Sequence, residues 1–308
     1  MSIRVTFRGV RGSIPVPGPN TVRYGGNTAC LELRFGDEDR LIIIDAGSGI
    51  RELANVIMAK DLPRGPIKTK IFLTHTHWDH IMGFPFFTPI FIPGTEIDVY
   101  GPVTYEEDTL DRIVGDQLRY RYFPVRIEEL RATIGYFQLK EGSLDLGDGL
   151  TVTTKYLNHP ILVLGYRFEY KGKAFCTAYD HELFRNVFDV KPDDPGYDEA
   201  AVKEGEIAAR EENEKVRAFY HDADLLIHDT QYTHKEYMAG KLGWGHSSFE
   251  WAINQANKAG VKHLALFHHD IARSDDQLDA LLATYTASIK DKTTMKVSVA
   301  QEGKTIEL

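Results

Sequence analysis

The sequence predicts an α/β fold, and three observations carry that prediction. Apolar runs of strand length recur along the whole chain, from residues 3–7 to Lys296–Val299. In the last third they alternate with stretches of helical periodicity. Histidine and aspartate stand just past the ends of several of these runs, on the edge where α/β sheets gather their ligands.

The chain has 308 residues, enough for one large α/β domain or two ordinary ones at roughly 150 residues each. Strands and helices run evenly, with no internal repeat and no low-complexity linker, so a single domain over residues 1–308 is expected. A net charge of −9 argues against a large nucleic acid as partner and favours a small substrate. The two cysteines, Cys30 and Cys176, lie within apolar runs and read as buried small hydrophobes. The opening Met1-Ser2-Ile3-Arg4-Val5 lacks the layout of a secretory signal, and no apolar run approaches the ~18 residues of a membrane span. A cytoplasmic protein without a membrane partner is expected.

Strands are expected at residues 3–7, 29–35 and 41–45, broken by the Gly/Pro-rich segment 9–26. That segment reads either as a long loop or as an anion-holding rim, in which glycines permit close approach beside Arg11, Ser13, Arg23 and Asn27. Residues 47–59 show helical spacing through Ile50, Leu53, Ala54 and Ile57. Asp45, just before them, is either a helix-capping carboxylate or a partner that orients a metal ligand from behind. The aromatics and prolines between Phe84 and Pro93 read as a cleft wall or as core. Residues 105–138 carry a mixed helical pattern, followed by strands at 134–139, Leu150–Leu157, Val163–Tyr170 and Lys173–Ala178, with Lys171-Gly172 as a hairpin turn. The acid-rich stretch 182–220 reads as a solvated helix or a mobile flap. Thereafter strands at 224–228, His263–Phe267 and Lys296–Val299 alternate with helices at 247–259 and 274–289. Ser247/Glu250 and Ser274/Gln277 have capping-box spacing.

The chemistry centres on Thr74-His75-Thr76-His77-Trp78-Asp79-His80, which follows the run Ile71-Phe72-Leu73. Three imidazoles and a carboxylate so close together offer nitrogen and oxygen donors to a divalent transition metal. His75 and His77 alternate toward one side of the turn, and Asp79 and His80 come round to the other, which suggests two adjacent metal positions. Further donors stand past later strands: His159 in Asn158-His159-Pro160, Asp180 in Tyr179-Asp180-His181, and the pair His268-His269 before Asp270.

Taken in order, these residues resemble the ligand set of the metallo-β-lactamase-fold hydrolase superfamily, over roughly residues 3–270. The resemblance implies a four-layer αββα sandwich with helices 47–59, 247–259 and 274–289 covering the sheets. It implies that His75, His77 and His159 bind one metal, that Asp79, His80 and His268 bind a second, and that Asp180 bridges them. His269 and Asp270 then stand behind the ligands, as does Asp45. An aspartate rather than a cysteine at position 180 points away from lactam hydrolysis and toward a binuclear phosphodiesterase.

Gly245-His246-Ser247-Ser248 resembles the Gly-His-Ser-Thr element of the tRNA 3′-processing endonuclease branch, in which the histidine protonates the leaving oxygen. Ile227-His228-Asp229-Thr230 resembles that branch's His-Glu-Ala-Thr motif, with Asp229 in place of the glutamate that steadies the histidine. His159 and Asp180 are joined by one hairpin, with no room for the long arm of the bacterial tRNA-processing enzymes. The opening Gly-rich segments resemble a bacterial group described as metal-dependent hydrolases or cyclic phosphate phosphodiesterases. The expected function is therefore hydrolysis of a cyclic nucleotide or other small cyclic phosphate by a metal-bridging hydroxide. Two Zn2+ or Mn2+ ions serve as cofactor, Asp79, His246 and Asp229 carry catalysis, and Arg11, Arg23 and Asn27 hold the rest of the substrate. An RNA 3′-end nuclease and a thioester or lactone hydrolase are the alternatives, and the resemblance also implies a homodimer.

Overall fold

Two stacked seven-stranded sheets follow from the period-two patterning of the apolar runs. The computed structural model describes residues 3–102, 108–188, 192–194 and 196–308. In chain order the first elements are β1 (Ile3–Gly9), β2 (Cys30–Phe35), β3 (Arg40–Ile44), α1 (Ile50–Lys60), β4 (Lys68–Phe72), α2 (Trp78–Ile81), β5 (Glu96–Pro102), α3 (Leu110–Gly115) and β6 (Thr133–Leu139). Then come β7 (Gly142–Asp145), β8 (Leu150–Leu157), β9 (Val163–Tyr170), β10 (Lys173–Ala178), α4 (Glu199–Phe219), β11 (Leu225–Asp229) and α5 (His234–Met238). The chain closes with α6 (Phe249–Lys258), β12 (His263–Phe267), α7 (Asp275–Ile289), β13 (Lys296–Val299) and β14 (Thr305–Glu307).

The sheet orders are β14-β1-β2-β3-β4-β5-β6 and β13-β12-β11-β10-β9-β8-β7. In each sheet one part is antiparallel and the other parallel: β3 to β6 run parallel in the first, β10 to β13 in the second. The strands show why there are four layers. Leu31, Leu33, Phe35, Ile42 and Ile44 face inward and meet Val152, Leu164, Tyr166, Phe168, Ile227 and Phe267 of the other sheet. Their neighbours Cys30, Leu41 and Ile43 face the opposite way, onto Ile50, Leu53, Ala54 and Ile57 of α1. On the far side Cys176, Ala178, Leu226, Leu264 and Leu266 pack against Phe219 of α4, Phe249 and Ile253 of α6, and Leu278 of α7. Each such large apolar side chain contributes about 1.5–3 kcal/mol on burial, so all three interfaces are strongly driven. The expected αββα sandwich is the observed one.

Several elements differ from expectation. The helical pattern over 105–138 yields only α3 and short 3-10 turns, because Pro124 and the run of exposed Arg and Tyr residues around it give no continuous apolar face; residues 105–107 lie outside the described ones. Short β7 and β14 are too small to show a period, yet β14 covers the outer edge of β1 through Val5↔Ile306. Helix α6 is capped by Ser248, whose side chain accepts from Trp251 N, not by Ser247. Glu250 instead accepts from His234 N and the Tyr285 hydroxyl. The capping box at Ser274 and Gln277 forms as expected. Phe84 and Phe87 are core residues, whereas Phe86 is exposed. Part of the stretch 182–220, residues 189–191 and 195, also lies outside the described ones, and the remainder includes α4, anchored by Val216 and Phe219. Both cysteines are buried and free. Among the described residues no helix is long and apolar enough to cross a membrane.

Candidate metal centre

Loops 74–80 after β4, 158–160 after β8, 179–182 after β10 and 268–270 after β12 converge beyond the strand ends. His75 Nε2 lies 3.4 Å from Asp180 Oδ2; His159 Nε2 lies 3.8 Å from the same oxygen and 3.1 Å from His77 Nδ1. On the other side Asp180 Oδ1 is 3.3 Å from His80 Nε2 and 3.2 Å from His268 Nε2. Those two nitrogens are 3.4 and 3.2 Å from Asp79 Oδ2. Asp180 thereby joins two donor groups, His75, His77 and His159 in one and Asp79, His80 and His268 in the other, and a third set at the edge links Asp180 and His268 to Asp229 and His246; within each the donor atoms lie within 4.8 Å of one another.

A divalent cation fits these residues. His75 Nε2, His80 Nε2 and Asp180 Oδ1 are buried with no hydrogen-bond partner among the described residues, a condition that costs about 1–3 kcal/mol per group unless something else satisfies it. Imidazole and carboxylate are the donors a borderline divalent ion takes, so the clusters form a divalent metal site.

Surrounding residues fix which nitrogen points inward. Asp45 Oδ2 accepts from His80 Nδ1 at 2.7 Å, and the same carboxylate accepts from Thr74 N and Oγ1. The Gly245 carbonyl accepts from His159 Nδ1 at 2.9 Å. In both rings the proton is thereby held on Nδ1 and the Nε2 lone pair is left for a cation. Asp45 thus orients the His80 ring and does not cap α1, whose N-terminus has no side-chain cap. Asp45, Asp180 and His268 all have φ in the left-handed region, at 60°, 43° and 61°. Such backbone costs about 1–3 kcal/mol per residue and persists where packing enforces it.

Burial, aided by the neighbouring His80, pulls the His75 imidazolium well below its ordinary range. Burial likewise brings His159 down to about 4, against the pull of Asp180. Burial alone would lower His268 too, but Asp180 and Asp79 outweigh it and raise that ring to about 9. Asp79 stays ionised: burial works against it, and the nearby His80 and His268 more than compensate.

At the edge of the second group, His246 Nδ1 donates to Asp229 Oδ2 at 2.8 Å. Asp229 is fully buried and also accepts from His181 N and Gln231 N, so the shorter carboxylate still reaches the histidine. The His246 ring stacks on His268 with centroids 5.0 Å apart and lies 5.3 Å from His159. With Nδ1 engaged, Nε2 is the nitrogen left to exchange a proton.

A family model described as metallo-beta-lactamase superfamily matches residues 23–170. A ribonuclease Z from Lactococcus lactis is 31% identical over 271 residues, covering 79% of this chain and 83% of its own. The chain belongs to the metallo-β-lactamase superfamily, in the branch that contains ribonuclease Z. Among solved structures, the metallo-beta-lactamase fold protein YhfI from Bacillus subtilis aligns with TM-score 0.62 over 100% of both chains at 18% identity. A diphosphatase of the PhnP family aligns with TM-score 0.60 over 99% of this chain and 98% of its own at 16% identity. These two likenesses concern the fold.

In this superfamily member the three residues expected to hold the rest of the substrate are engaged elsewhere. Arg11 is wholly buried, donating Nε to the Gly25 carbonyl and Nη1 to those of Asp270 and Arg273. Arg23 pairs with Asp276 and Asp279 on α7 at 2.7 and 2.8 Å. Asn27 donates N and Nδ2 to Glu302. His269 stands away from the donor groups, with Nε2 on the Ala300 carbonyl.

The Gly-rich segment does meet the site, in a different way. Ser13 N donates to Asp79 Oδ2 at 2.7 Å, so the anion it receives is the protein's own. A Cβ on Gly12 would come within 2.3 Å of the His268 ring, which requires glycine there. Position 12 carried no local signal that could assign this role, since its contact is with a residue near the other end of the chain.

Proposed function

We propose that this protein, a metal-dependent phosphodiester hydrolase, opens a small cyclic phosphodiester, either a cyclic nucleotide or a similar cyclic phosphate. The observation that carries the reading is the pair of donor groups sharing Asp180 with the His246–Asp229 pair at their edge. Two divalent cations, Zn2+ or Mn2+, suit these donors: one on His75, His77 and His159, one on Asp79, His80 and His268, with Asp180 between. When bound, such ions supply an acidified water and neutralise charge on phosphoryl oxygens.

The chain's own residues do the rest. Asp180 would screen the repulsion between neighbouring cations, and Asp45 and Gly245 keep His80 and His159 in the tautomer that would ligate. His246 gives its proton to the leaving oxygen, and Asp229 holds that ring in place through Nδ1.

Three features support a small substrate. The connection between His159 and Asp180 is the hairpin of β9 and β10, closed by Lys171 and Gly172 with φ of 50° and 77°. The net charge of −9 disfavours a long polyanion. Two exposed tryptophans adjoin in sequence the residues that touch His159: Trp78, 77% exposed, follows His77, and Trp244, 54% exposed, precedes Gly245. Exposed tryptophans beside a phosphate-handling site suit stacking on a base.

The likeness to ribonuclease Z favours a second reading, a nuclease acting at RNA 3′ ends. A panel separates the two: 2′,3′-cyclic and 3′,5′-cyclic nucleotides, cyclic dinucleotides, bis(p-nitrophenyl) phosphate and precursor tRNA, each with Zn2+ and with Mn2+. The proposal expects at least one cyclic nucleotide to exceed precursor tRNA in kcat/KM by tenfold or more. Efficient tRNA cleavage with inert cyclic nucleotides would overturn it.

A further inference from the structure

Glu182 is a carboxylate outside the donor groups, and it is 3% exposed. Its Oε1 accepts from the Tyr237 hydroxyl at 2.6 Å and from Gly243 N at 2.8 Å, and its Oε2 accepts from Gly245 N at 2.8 Å. Arg185 Nε lies 3.3 Å away. The Glu182 main-chain N–H donates to the Asn158 carbonyl at 2.9 Å. One residue therefore touches three loops: its own, which supplies Asp180; the turn that carries His159; and the loop that leads into His246.

The loop it holds is otherwise tied mainly to itself and to the end of α5, by Lys241 N on the Tyr237 carbonyl, Trp244 N on the Lys241 carbonyl, and the Lys241 ammonium 3.7 Å from the Trp244 ring centroid. Gly240, Gly243 and Gly245 all have positive φ, at 135°, 82° and 83°. Met238, Leu242 and Trp244 around them are exposed, so apolar packing does not hold this segment. Gly245 nevertheless has two exacting neighbours. Its carbonyl receives His159 Nδ1, and a Cβ at this position would come within 2.1 Å of that nitrogen. The next residue is His246, bonded to Asp229.

We propose that Glu182 is a positioning residue that sets the ring of His159 toward the cation and, through the same glycine, the ring of His246 toward the leaving oxygen. Two charge-assisted amide bonds to one buried carboxylate fix residues 243 and 245 relative to the Asp180 loop. The Ser247 hydroxyl, which donates to the His181 carbonyl, closes the seam on the far side of His246. The part concerning His246 rests on the phosphodiesterase reading, whereas the part concerning His159 does not.

Glu182→Gln keeps the shape but turns one acceptor oxygen into a donor that faces another donor. Zn2+ affinity, measured by chelator competition on stripped protein, is expected to fall 10- to 100-fold, as for other residues that orient a ligand from behind. Tyr237→Phe removes a bond to Oε1 but keeps both amide contacts, and is expected to leave Zn2+ affinity within threefold of the parent. A Glu182→Gln protein that folds and binds Zn2+ as tightly as the parent, with only its Tm lowered, would overturn the proposal.

The same coupling is measurable without any substitution. If the clamp orients His159 for the cation, then by reciprocity the cation must stiffen the clamp. Amide hydrogen exchange of residues 243–247 is expected to slow on Zn2+ addition, and unchanged exchange there at saturating Zn2+ would overturn the proposal. Both readouts stand if no phosphodiester is turned over. That failure would remove the assigned substrate and not the role of Glu182.

Discussion

Replacing His246 with alanine removes the imidazole whose Nδ1 is pinned to Asp229 at 2.8 Å and whose ring stacks 5.0 Å from His268. Neither Asp180 nor any of the six residues His75, His77, His159, Asp79, His80 and His268 grouped with it is touched, so both proposed cations are expected to stay bound. The change leaves a buried aspartate that retains two backbone donors, from His181 and Gln231, so Asp229 does not become an unsatisfied charge and the fold is expected to hold. On the proposed mechanism, what is lost is the proton for the departing oxygen. General acid catalysis is typically worth ~10²–10⁴ in rate, about 3–5 kcal/mol of barrier. An alkoxide leaving group, as in a cyclic nucleotide, should show that full loss in kcat. A nitrophenolate departs without a proton, so bis(p-nitrophenyl) phosphate should lose less than about tenfold. The assay is kcat on both substrates with metal content measured on the same samples. Equal losses on both, with metal retained, would refute the assignment of His246 as the acid.

Asp180→Ala should lose metal and activity together, because Asp180 is the only carboxylate common to both donor groups; two tightly held metals and near-normal turnover would show the shared position to be misassigned. Trp78→Ala and Trp244→Ala should each raise KM for a nucleotide about five- to thirtyfold, as expected for about 1–2 kcal/mol of base stacking, and leave kcat nearly unchanged; unaltered KM would remove the tryptophans from substrate binding. His263 provides a test of stability against pH. Burial, with Lys296 and Lys304 adding to it, brings His263 down to about 4 in the folded chain, against an ordinary value of about 6.5. The unfolded chain therefore takes up a proton between those values and the folded chain does not. Stability is lost as pH falls from 6.5 to 4, by at most about 3 kcal/mol for this group. In urea unfolding at pH 7.5 and 4.5, His263→Gln should lose less between the two than the parent, and parallel losses would contradict the shift.

The fold was legible because burial on alternate faces writes itself into the order of residues. Leu31, Leu33 and Phe35 on one face of β2 and Ile50, Leu53, Ala54 and Ile57 on one face of α1 are visible without coordinates. The clustered histidine and aspartate side chains were legible for a similar reason: four of them lie within six residues, and the others each stand just past an apolar run. What could not be read were contacts made across the chain. Arg11 looked like an anion-binding side chain, but its acceptors are carbonyls at positions 270 and 273, and those of Asn27 belong to Glu302. Glu182 had no periodicity or spacing to mark it, since its donors sit about sixty residues later, Tyr237 on α5 and Gly243 and Gly245 in the glycine loop beyond it. An exposed cation and a structurally engaged one are identical as letters, and only the folded chain separates them.

The central claim is that a pair of divalent metals held around Asp180 makes this chain a cyclic phosphate phosphodiesterase. It is tested most directly by titrating Zn2+ or Mn2+ into stripped protein while 31P NMR follows a 2′,3′-cyclic or 3′,5′-cyclic nucleotide. The account expects no conversion before metal is added, growth of a phosphomonoester signal as metal enters, and a plateau near two equivalents per chain. Conversion that is complete without metal, a plateau at one equivalent, or a cyclic phosphate that survives in the fully loaded protein while precursor tRNA is cut, would contradict it.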